Sequence, residues 1–95
     1  MTLAYGDSSG MRLVRGGEAV EFVVHEYGRP VVCRVSRECI DDHMGNPRGV
    51  AARLAAAKAY FNEITDCVGD LIGRRRYESD RTILVRSADY EDRPR

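Results

Sequence analysis

Cys39 and His43 stand four residues apart on a segment that reads as a helix, so both side chains can face one metal ion. A zinc-type site needs three or four ligands. The other candidates nearby, His25 and Cys33, differ in parity and fall on opposite faces of one strand pair. No metal site is therefore expected. Cys33 as a nucleophile would need an exposed thiolate beside a base. Its parity instead sets it against Phe22 on an apolar face, so the reading is a buried, inert thiol. Asp41-Asp42, Asp66 and Asp70 could supply paired carboxylates for acid–base work. Adjacent aspartates at the end of a short helix and an acidic helix face are ordinary solvated surface. The sequence holds no P-loop, no dinucleotide-binding glycine pattern, no Gly-x-Ser-x-Gly and no zinc-hydrolase motif. No catalytic residue and no cofactor is expected, and the chain reads as a protein that is not an enzyme.

The strongest functional cluster is cationic. Arg74, Arg75 and Arg76 precede Tyr77, with Arg81 and Arg86 close behind. Arginines there can hold phosphates while the tyrosine stacks on a base, the chemistry of nucleic-acid contact. Cations in a last helical turn are also favoured by the helix dipole, and Glu78 and Asp80 dilute the patch.

The elements that position these residues begin with a strand pair. Val20, Phe22 and Val24 share one face of a first strand, and Val31, Cys33 and Val35 one face of a second. If Tyr27-Gly28 is a two-residue loop, Val24 opposes Val31, Phe22 opposes Cys33 and Val20 opposes Val35. On the other face Glu21 then meets Arg34 and Val23 meets Val32, a charge pair beside an apolar pair, with His25 next to them. Residues 11–14 form a short possible strand before the hairpin, and residues 82–86 a last strand.

Two helices are expected between the hairpin and the last strand. Ser36 caps a short one over residues 37–44, which Gly45 ends. Asn46-Pro47 then opens a second, with Asn as cap and Pro at the first position. Val50, Leu54, Ala57, Phe61, Ile64, Val68, Leu71 and Ile72 make a continuous apolar stripe along it up to Gly73. This long helix has roughly 26 residues, about 39 Å at the usual rise. Its opposite face carries Ala52, Ala55 and Ala59, then Glu63, Asp66 and Asp70, with Asp70 and Arg74 in the favourable i,i+4 order.

Composition bounds the rest. With 95 residues the chain is a single domain over 1–95, with residues 1–10 a lead-in loop and 90–95 a frayed tail. Such a domain buries about 60–65% of its unfolded surface, enough for one core. The 15 basic and 15 acidic residues cancel, so net charge exerts no general pull toward nucleic acid or anionic membrane. All basic residues but Lys58 are arginine, which a GC-rich coding bias explains. No apolar run approaches the ~20 residues of a membrane span, and the start lacks a secretory signal, so the cytoplasm is the expected location and no membrane partner is foreseen. Three cysteines in such a protein are expected to be buried and reduced.

The chain also resembles a family of small stand-alone bacterial proteins known only as a domain of unknown function. The residues that carry the resemblance are Val20-x-Phe22, Val32-Cys33-Arg34-Val35-Ser36 with its acidic short helix, Phe61-Asn62 and Ile64 in the long helix, and Ile83-Leu84-Val85 with Asp89 after it. It spans roughly residues 11–90 and implies a two-layer α+β domain in a bacterial cytoplasm. It carries over no active site.

The expected fold is therefore α+β, a small, mainly antiparallel sheet of three or four strands with one short and one long helix packed on one face. The leading functional expectation is a small interaction or regulatory protein, in partnership with an unknown protein or with itself as a homodimer. The candidate surface is Glu21, Val23, His25, Val32 and Arg34. The alternative is a nucleic-acid-binding accessory protein using Arg74, Arg75, Arg76, Tyr77 and Arg81.

Overall fold

The computed structural model describes the backbone of residues 3–4 and the whole of residues 8–92. The hairpin is its centre. Strand β3 (Ala19–Glu26) and strand β4 (Arg29–Ser36) pair antiparallel with Phe22 opposite Cys33, Val24 opposite Val31 and Glu21 opposite Arg34. Tyr27 (φ 51°) and Gly28 (φ 78°) both adopt left-handed backbone, a type I′ turn whose twist matches the strands. The expected two-residue loop and its register are what the structure shows.

Three short strands complete the sheet. β1 (Leu3–Ala4) and β2 (Arg12–Val14) pair antiparallel with opposite ends of β3, and β5 (Ile83–Val85) pairs parallel with β4. The sheet thus has five strands, mainly antiparallel, and the N-terminal segment expected as a loop contributes β1 and a 3-10 turn at Ser8–Gly10. The remaining residues of that expected loop, 1–2 and 5–7, lie outside the described residues.

A parallel pairing needs a crossover, and the helices supply it on one face. Helix α1 (Arg37–His43) starts where Ser36 Oγ accepts from the backbone N–H of Cys39 at 3.2 Å. The single long helix is corrected to two, α2 (Val50–Ala59) and α3 (Phe61–Gly73). Gly45, Asn46 and Gly49 are all left-handed (φ 84°, 50° and 89°), so the chain cannot turn helical at Asn46-Pro47 and starts instead after Gly49. The break falls at Tyr60 (φ −100°, ψ 20°).

The two segments also present different phases. In α3 the expected residues Phe61, Ile64, Val68, Leu71 and Ile72 are buried. In α2 the expected Ala57 is buried, but Val50 is exposed and Leu54 half-buried, while Arg53 faces inward. Arg53 turns in because its Nη1 donates to the Gly17 carbonyl at 3.1 Å, which rotates the helix away from the expected stripe.

The C-terminal tail needs the same kind of correction. Residues 87–91 form helix α4 (Ser87–Glu91), with Tyr90 buried beside the His43 ring at 5.1 Å. Residues 93–95, also expected to fray, lie outside the described residues. The core joins Val20, Phe22, Val24, Cys33 and Val35 of the sheet to Phe61, Ile64 and Val68 of α3 and to Ile83 and Val85 of β5. Phe22 and Phe61 meet edge to face at 5.9 Å. Among the described residues no helix is long and apolar enough to cross a membrane.

Candidate interaction surface

With the helices gathered on the inner face, alternation along the strands sends Glu21, Val23 and His25 of β3, and Val32 and Arg34 of β4, to the other side. Their register makes Val23 and Val32 direct neighbours and puts the pair Glu21–Arg34 beside them. Val23 is 42% exposed, Val32 half-buried and His25 exposed. The five residues expected to form one mixed surface are brought together on the sheet's outer face.

A residue the sequence reading did not assign extends it. Arg12 of β2 pairs with Glu21, and its guanidinium reaches Glu21 Oε1 at 2.6 and 3.2 Å. Arg34 Nε donates to the other oxygen at 2.9 Å, and Arg34 Nη1 lies 3.7 Å from Asp80 Oδ2. A row of alternating charge, Arg12, Glu21, Arg34, Asp80, thus crosses the face. The hydrogen bond from Arg12, and then Arg34, hold the Glu21 carboxyl below its ordinary range against the opposing effect of burial. The signal for Arg12 was its parity with Glu21 once β2 is registered, which the apolar pattern does not specify. Below the row a cleft of about 360 Å³ opens between Arg15, Glu18, Arg34, Glu78, Asp80 and Leu84.

The arginine cluster is less unified. Arg74, Arg75, Arg76, Tyr77 and Arg81 are all exposed after α3. Arg74 Nε turns back to Asp70 at 3.2 Å, and Arg75 and Arg81 sit in left-handed backbone (φ 56° and 67°) that sends the chain around a turn. Tyr77 donates to Glu26 at 3.3 Å, and Arg86 is held by Glu78 at 2.9 Å. Tyr77 and Arg75 do line a second cleft, of about 320 Å³, with Tyr27 and Glu26. Within the patch a carboxylate pairs with Arg74, and Tyr77 is tied to Glu26.

One constellation was missed because α4 was not foreseen. His43 Nε2 lies 2.9 Å from Ser87 Oγ, and that hydroxyl donates to Asp42 Oδ2 at 2.8 Å. In a serine nucleophile system the base takes the hydroxyl proton and the acid orients the base from its far side. Here the acid holds the hydroxyl proton itself, so the three residues tie α1 to α4. The thiols offer no nucleophile either. Cys33, Cys39 and Cys67 are buried thiols not joined in disulfides, and burial pushes the Cys33 thiol up to about 12. Asp41 is engaged by Arg37, Asp70 by Arg74, and Asp66 is exposed. Among the described residues no group of three or more His, Cys, Asp or Glu is placed to hold a metal.

The fold and this surface define a small two-layer α+β domain with helices on one sheet face and a mixed polar–apolar face left open. Residues 14–85 match the model of a family described as DUF1488, protein of unknown function, and the chain belongs to that family. A crystal structure of a protein of unknown function from the same family, from Shewanella loihica PV-4, superposes with a TM-score of 0.72 at 13% identity. The likeness covers 79% of this chain and 84% of that one and concerns the fold. No match is found among curated proteins.

Proposed function

We propose that this chain is a non-catalytic protein-interaction module of the bacterial cytoplasm that engages its partner through the outer face of its sheet. The observation that carries this reading is the apolar cross-strand pair of exposed Val23 and half-buried Val32, in the middle of a regular strand surface and bordered by an ordered charge row. Interfaces are built this way, with a small apolar centre and a polar surround that fixes orientation. The order of contacts in His43–Ser87–Asp42 and the burial of all three thiols support the non-catalytic part.

A photo-reactive phenylalanine analogue at position 25, on the same face, tests the reading. It should capture a protein, and the Val23→Asp substitution should abolish that capture. The same analogue at position 58, on the exposed side of α2, should capture nothing specific. Equal labelling at both positions, or capture insensitive to Val23→Asp, removes the outer face as the docking surface.

The alternative is nucleic-acid binding through Arg74, Arg75, Arg76, Tyr77 and Arg81, which is favoured by the cleft that Tyr27, Tyr77 and Arg75 share. Fluorescence anisotropy of a short labelled DNA or RNA single strand should then show binding that collapses with added salt. No anisotropy change at low salt ends that reading.

A further inference from the structure

The charge row on the outer face reads positive, negative, positive, negative across Arg12, Glu21, Arg34 and Asp80. Reversed, the same row is its own electrostatic complement. We infer that the partner at this face is a second copy of the chain, packed sheet to sheet about a two-fold axis that runs parallel to the strands between β3 and β4. This inference rests on the interaction reading and names its partner.

Strand registration sets the inner pairs, and Asp80, three residues before β5 and 3.7 Å from Arg34, sets the outer one beside Leu84, the β5 residue in register with Arg34. A two-fold in that direction keeps each residue at its level along the strands and exchanges β3 with β4. Arg12 then faces Asp80 of the partner subunit, and Glu21 faces Arg34 of the partner subunit, each twice. One level along, Val23 faces Val32 of the partner subunit, so four valines close into one apolar cluster beside the charges. The competing two-fold, running across the strands, sets Arg12 on Arg12 and Glu21 on Glu21 and is repelled. The charge row therefore selects one orientation, while the valines supply the apolar burial.

Size sets the strength. Strands ~4.8 Å apart, with a rise of ~3.4 Å per residue, make the outer face of the hairpin and its flanking strands roughly 400 Å² per copy. About 800 Å² in total is below the standard size of a specific interface, so the dimer is a weak one in exchange with its monomers.

Charge exchange tests both the partner and the register. Arg12→Glu in both copies sets a carboxylate against the carboxylate of Asp80, and Asp80→Arg in both copies sets a guanidinium against that of Arg12. Each variant alone should therefore dimerise more weakly than the unsubstituted chain. Mixed one to one, all four contacts are again between opposite charges, and native mass spectrometry should find the heterodimer, resolved from each parent by mass. Analytical ultracentrifugation from about 1 to about 500 µM should show the unsubstituted chain dimerising and each single variant weakened at least about tenfold. Thermal melts establish that the variants are folded. Val23→Asp, at an already exposed position, gives an independent loss of dimer that no mixing restores.

A monomeric unsubstituted chain over the whole range overturns the inference, as does a dimer that survives both charge reversals. The photo-reactive analogue at position 25 separates this failure from that of the parent reading. A cross-link of twice the chain mass supports the second copy. A Val23-dependent cross-link only to a different protein overturns the second copy and keeps the surface. No cross-link overturns both.

Discussion

The Nη1 of Arg53 donates to the carbonyl of Gly17 at 3.1 Å, joining the inner side of α2 to the turn that launches β3. The turn comes close because Gly17, at φ 90°, carries no side chain. A Cβ there would lie 2.8 Å from Val50 Cγ1. Nearby, Arg53 Nε and Asp41 Oδ1 are buried without a hydrogen-bond partner, 3.9 Å apart. A cation inside a small core is tolerated here because it bonds a backbone carbonyl and faces a carboxylate.

Gly17→Ala combines left-handed strain with that close contact and should cost about 1–3 kcal/mol in urea unfolding. Val50→Ala in the same chain removes the contact but not the strain, so the double variant should recover part of the loss. Strict additivity would show that Val50 does not limit the approach.

Phe61→Ala should cost about 3–5 kcal/mol, because it empties a core position. Phe61 is 9% exposed and meets Phe22 edge to face. A double-mutant cycle with Phe22→Leu and Phe61→Leu should give a coupling of about 0.5–1.5 kcal/mol. A coupling near zero would mean that the rings contribute only their bulk.

Tyr27 holds left-handed backbone while 68% exposed, so packing does little to offset its strain. Tyr27→Asn should stabilise the hairpin turn by about 0.5–1 kcal/mol, since asparagine tolerates that conformation. Calorimetry should register this as a rise in Tm of roughly 2–8 °C. An unchanged or lower Tm would show that the tyrosine ring is held by contacts in the cleft beside Tyr77.

Acid should weaken the sheet through Glu21. Its carboxyl is held below 4.5 when folded, by Arg12 first and by Arg34, so the unfolded chain takes up that proton more readily. The contribution is complete above the unfolded pKa and disappears as pH falls through the folded one. Glu21→Gln should therefore lose less stability than the unsubstituted chain between about pH 5 and pH 3, measured as urea midpoints. Parallel losses in the two proteins would remove Glu21 as a source of the acid sensitivity.

The hairpin was legible in the sequence because a period of two and a two-residue turn determine register together. Val20, Phe22, Val24, Val31, Cys33 and Val35 are all buried as alternation demands. The outer-face set was legible for the same reason. The phase of α2 was not, because hydropathy ranks Leu54 above Arg53, while the fold turns Arg53 inward to reach a carbonyl 36 residues away. The break at Tyr60 has neither Gly nor Pro to mark it. Helix α4 is a single turn with polar neighbours, and only its packing against α1 explains why Tyr90 is buried. Arg12 joined the surface through the pairing of β2 with β3 nine residues on, whose register is set by the left-handed Gly16-Gly17 turn and not by the apolar pattern.

The parallel placement of β5 has a kinetic consequence. The hairpin closes through neighbouring residues, but β5 can meet β4 only after α1, α2 and α3 have crossed the sheet, so this edge is a late event in folding. With three residues in β5 and one turn in α4, it is also a small cooperative unit. Its transient release uncovers the side of β4 that carries Cys33 and the side of α3 that carries Cys67, whose thiol donates to the Asp89 carbonyl. Brief thiol exposure in the native protein should therefore track the opening of this C-terminal edge ahead of global unfolding.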